Sequence, residues 1–131
     1  MDSRSTDCPP TVRAGRLAKA RQFEQAADTV LTLATEASDV ADAYVTLCVH
    51  AGIAAADVIC CARLGRYSRG ESHHEATTLV ASVDKVAARH LDTLLRLKTL
   101  AGYSHSAVGR ERTLRAGRAM EALMATALAA G

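Results

Sequence analysis

The sequence predicts an all-α fold, an antiparallel bundle of four or five helices, on three observations. Its 131 residues are 49% apolar, which is one domain's worth of core without any need for covalent or metal staples. Ala and Leu dominate that content, with one Phe, no Trp and only two Pro, a bias toward strong helix formers whose small side chains let helices pack closely. Apolar residues then recur at helical spacing through most of the chain.

The opening "MDSRSTDCPP" is polar and lacks the apolar run of a signal peptide, so residues 1–11 read as a flexible tail before a single domain over 12–131. The first helix, about residues 12–37, aligns Leu17, Ala20, Phe23, Ala27, Val30, Leu31 and Ala34. Ser38 or Asp39 is placed to cap a second helix that ends at Leu64, with Gly65 as the left-handed residue beyond it. Tyr44, Leu47, Cys48, Ala51, Ala55, Val58 and Ala62 share its apolar face, whereas His50 and Asp57 lie two turns apart on another side.

"GRYSRGES" is the clearest loop, and Ser72-His73-His74-Glu75 has the form of a capping box opening the third helix. That pattern runs to about Ala101, with a polar step at Ser82–Asp84 where the helix can restart. Its apolar stripe is Val80, Ala87, Leu91, Leu94, Leu97 and Ala101; Lys98 and His90 fall within it, and Arg96, Arg89 and Asp92 face away. A final helix, about 109–129, turns Met120, Leu123, Met124, Ala127 and Leu128 inward and carries Arg112, Arg115 and Arg118 as an outer basic ridge.

Sixteen basic residues against fourteen acidic give a formal net charge of +2, too balanced to imply nucleic-acid binding alone. The excess is local, since residues from 66 onward hold ten basic and six acidic groups. Cys8, Cys48, Cys60 and Cys61 show neither disulfide-framework nor CxxC metal spacing, and reduced thiols in a cytoplasm are expected. The apolar run "VTLCVHAGIAAADVICCA" is interrupted by His50 and Asp57, which suits a central bundle helix better than a membrane span.

Glu71-Ser72-His73-His74 contains Glu-x-x-His, but a di-metal bundle needs a second such element and inward Glu residues, so no metal and no cofactor are expected. His50 and Asp57 are binding candidates because a carboxylate among apolar neighbours needs a partner. Lys98 is one because an ammonium on an apolar stripe must snorkel or meet an anion. The arginine ridge could hold phosphates.

"YVTLCVHAGIAAADVICCARLG", "SRGESHHEA" and "LLRLKTLAGYS", in that order before a final amphipathic helix, resemble the HEPN family of small bacterial helical bundles. The resemblance covers about residues 12–129. It implies a homodimer and a role beside a nucleotidyltransferase, or in a toxin–antitoxin pair, or as a ribonuclease. Ribonuclease members carry Arg, four to six residues, then His near the end of the third helix; here that place holds Lys98-x6-His105. Arg66-x6-His73 and Arg69-x4-His74 match the spacing at the wrong end of the helix.

The expectation is therefore a HEPN-like module that engages a nucleic acid, nucleotide or nucleotidyltransferase, more readily non-catalytic than enzymatic because Lys lacks the bidentate fork of Arg. One alternative is a metal-independent ribonuclease with His105 as acid or base, Lys98 steadying phosphate charge and Tyr103 orienting them. The other is a purely structural interaction bundle.

Overall fold

A computed structural model describes residues 5–70 and 72–130. Five α-helices form the body: α1 (Pro10–Leu33), α2 (Ala41–Leu64), α3 (His73–Ala81), α4 (Lys85–Gly102) and α5 (Arg110–Ala130). Two short strands, β1 (Ser5–Asp7) and β2 (Arg66–Ser68), pair antiparallel with Thr6 opposite Tyr67.

The central element is α2, against which α1, α4 and α5 all pack. It is buried on almost every side, through small residues such as Ala51, Ala54, Ala55 and Gly52. Their size allows the neighbours' bulk to supply the packing: Leu91 and Leu94 from α4 and Met120 and Leu123 from α5 are fully enclosed, each contributing about 2 kcal/mol of hydrophobic transfer. From α1 come Ala20 and Ala27. The span Ala37–Leu64 is long and apolar enough to cross a membrane by length and composition, yet 67% of its most apolar window is buried inside the protein.

Local chemistry sets the helix ends. Gly65 adopts φ 68°, donates its N–H to Cys61 and stops α2 as expected. Ser72 Oγ accepts from the Glu75 N–H at 3.3 Å to open α3. The polar step does divide the third periodic segment: Asp84 Oδ1 accepts from the Ala87 N–H at 2.9 Å and starts α4. At the start of α2, by contrast, Ser38 and Asp39 are not caps. They lie in a 3-10 turn, Ala37–Val40, and α2 begins without a side-chain cap.

Two corrections concern the N-terminal segment. The tail expected over residues 1–11 is, from Ser5 onward, tied into the fold: β1 pairs with β2, and α1 begins already at Pro10, a residue suited to a first turn. Free thiols are not what Cys8 and Cys61 have, since a disulfide joins them with their Cα atoms 5.3 Å apart. Cys48 and Cys60 are buried free thiols. The helical pattern around Cys61 conceals a partner 53 residues away.

Candidate functional site

A cavity of about 490 Å³ lies between α1, α2, α4 and the β2–α3 connection. Its floor is apolar, formed by Ile53, Ala56, Val80, Leu91 and Leu95. Its polar wall comes from separate elements: Arg16 from α1, Asp57 from α2, Arg69 after β2, His73 opening α3, and Lys98 near the end of α4.

Asp57 is the deepest of these groups. Its Oδ2 accepts from Arg16 Nε at 2.9 Å, with the carboxylate side chain only 13% exposed. Burial pushes the carboxyl up to about 6, against the opposing pull of the Arg16 guanidinium. Desolvation thus outweighs the ion pair. Asp57 charge and burial in turn push the Cys60 thiol up to about 12, burial being the larger cause, so this cavity-lining sulfur is not a nucleophile at neutral pH.

Arg16 is the residue that sequence reasoning passes over. Its signal is present, because Arg16, Ala20, Phe23 and Ala27 are spaced four, three and four residues apart, placing a guanidinium in register with a buried stripe. Such an arginine calls for a carboxylate on the facing helix.

Lys98 continues the row of Leu91 and Leu95 but is exposed at the cavity mouth. Its stem follows the apolar stripe and its ammonium reaches water. It forms no ion pair among the described residues. His50 does not contact Asp57; its ring lies 5.4 Å from that of Phe23, and partial burial, then the Lys98 charge, lower its pKa.

His73 Nε2 lies 3.1 Å from Asp92 Oδ1, and Asp92 Oδ2 accepts from Arg96 Nε at 2.7 Å. This surface relay ties the start of α3 to α4 and confirms that Arg96 faces outward. Asp92 is held below the usual carboxylate range, first by its Arg96 hydrogen bond and then by the His73 one. Glu71 lies outside the described residues, and among those described no three His, Cys, Asp or Glu side chains are placed to hold a metal.

Lys98, Tyr103 and His105 differ in setting. Only Lys98 reaches the cavity. Tyr103 is 80% exposed, His105 is exposed beyond the end of α4, and neither side chain has a hydrogen bond or ion pair among the described residues.

The arginine ridge is also elsewhere. Arg112, Arg115 and Arg118 are exposed on α5, and Arg115 pairs with Glu111 at 3.0 Å. Arg118 borders a second groove, about 690 Å³, beside Tyr44, Val108 and Leu114. Arg110 and Arg118 are balanced there by Glu36 and Glu121, so that groove has no electrostatic preference for an anion.

In the first cavity the one carboxylate among the described lining residues, Asp57, is paired with Arg16, and Lys98 has no ion pair among the described residues. The chain matches no protein-family model, no curated protein and no solved structure.

Proposed function

We propose that this chain is a HEPN-like helical module that binds a phosphate-bearing ligand, a mononucleotide or the end of an RNA strand, in the cavity beneath the β2–α3 connection, without cleaving it. One observation carries the reading: Lys98, without an ion pair among the described residues, stands at a concave, partly apolar site whose only described carboxylate is neutralised by Arg16. The volume suits a small ligand rather than a duplex, and the apolar floor suits a base or ribose while the Lys98 ammonium suits phosphate. Of the three residues of the ribonuclease alternative, Lys98 alone lines the cavity, which favours binding over cleavage there.

Calorimetric titration with inorganic phosphate, AMP and a short single-stranded RNA tests this. AMP or RNA should bind, with an affinity that falls as salt rises, and Lys98→Ala should weaken it at least fivefold while His105→Ala and Arg112→Ala leave it unchanged. Absence of binding by all three probes at millimolar concentration removes the proposal, and RNA cleavage lost in His105→Ala would favour the ribonuclease instead. The same reading carries two partners, a second copy of the chain and a nucleotidyltransferase, which sedimentation and co-purification test.

A further inference from the structure

Both polar halves of the cavity wall hang from the Cys8–Cys61 bond. On one side, Asp57 and Cys61 are four residues apart on α2, so the bond sits one turn from the Arg16–Asp57 pair and fixes α1 against α2 there. On the other, Cys8 follows β1 directly, and its N–H donates to Gly65 O at 2.9 Å at the root of β2. Arg66 Nε donates to Ser5 Oγ, and its two terminal nitrogens reach the Asp7 carboxylate and the Ser5 carbonyl. Tyr67, Ser68, Arg69 and Gly70 then form the cavity wall.

A ribbon of two three-residue strands does not hold itself together in water. Its contacts to Arg66 are short-range and partly exposed: the Asp7 side chain is 87% exposed. The covalent bond therefore anchors β1, while the wall is held by β1 on one side and by packing on α2 on the other.

We propose that Cys8 and Cys61 are a reversible redox-modification site, opened by a dithiol reductant, that sets the order of the cavity wall formed by β2 and residues 69–70. Cys8 is half-buried, whereas Cys61 is only 6% exposed, so the incoming thiolate attacks Cys8 Sγ. The Cys8–Cys61 bond breaks, and Cys61 leaves as a thiolate that takes up a proton. The second thiol of the reductant then attacks the mixed disulfide, releasing the Cys8 thiolate, which is also protonated. Two electrons pass to the protein and the dithiol becomes a disulfide. The effect on ligand affinity rests on the cavity reading given above; the change in the wall does not.

Hydrogen exchange and thiol labelling on the intact chain test the site, comparing oxidised protein, protein reduced by dithiothreitol, and the Cys8→Ser/Cys61→Ser variant. Reduction and the variant should each speed exchange at residues 66–70 and alkylation of Cys60 by at least tenfold while the helical circular dichroism is retained, and reoxidation should reverse the first. AMP affinity should fall at least fivefold. Equal exchange at 66–70 in all three forms overturns the proposal, as does loss of the helical circular dichroism on reduction. Altered exchange with no AMP binding in any form counts against the cavity reading alone.

Discussion

Arg16 and Asp57 meet across the α1–α2 seam at 2.9 Å, and their union does not make the carboxylate comfortable: burial still pushes Asp57 up to about 6. The pair is a site where charge is retained at a cost to stability, a pattern that suits binding better than packing.

The first prediction concerns pH. A carboxyl raised from its ordinary value binds more protons folded than unfolded, so its contribution to stability is fully present below about pH 4 and lost as pH rises through about 6. Between about pH 5 and pH 7.5 this removes about 1 kcal/mol. Urea unfolding of Asp57→Asn should show a flatter profile over that interval.

Removing the cation should exaggerate the same slope. Arg16→Met leaves Asp57 without its partner, so the carboxyl should titrate higher still. Stability should drop by about 2 kcal/mol near pH 7.5 and by much less near pH 5, where protonation relieves the buried charge. Denaturant titrations at both pH values check this.

Gly52 and Gly15 should respond in opposite directions to alanine. A Cβ at Gly52 would collide with Leu94 Cδ1 and press on Leu123, whereas one at Gly15 meets nothing. Gly52→Ala should destabilise by about 1–2 kcal/mol despite its helix propensity. Gly15→Ala should stabilise by about 0.5–1 kcal/mol, both read from thermal unfolding.

Cys8→Ser should lower global stability as well as loosening β1. A bond closing a separation of 53 residues restricts the unfolded chain by about 4 kcal/mol on the loop-entropy model. The expected fall in melting temperature is on the order of 10 °C. Scanning calorimetry of the variant and of oxidised protein measures it.

What the sequence made legible was local. Gly65, Ser72, Asp84 and the outward turn of Arg96 are each decided within one or two helical turns, by backbone freedom, capping oxygens or periodicity. The failures are of two kinds. Ser38 and Asp39 have the right chemistry for a cap, but the chain tightens into a 3-10 turn that displaces the helix start. The β1–β2 pairing, the Cys8–Cys61 bond and the Arg16–Asp57 contact join residues 41 or more positions apart. Neither propensity nor spacing registers such pairings. Lys98 was visible as an anomaly, but the residues that line the cavity with it, Arg16 and Arg69 among them, come from elements far away in sequence.

The enclosure of α2 has a consequence for how the molecule opens. Because α1, α4 and α5 all rest on this one helix, none can depart without uncovering the Ala-rich surface they share. These four helices should unfold as one cooperative unit, with α2 amides the slowest to exchange. The short α3 and the strand pair touch α2 far less. Low-energy fluctuations are thereby directed to the side of the protein that carries the 490 Å³ cavity.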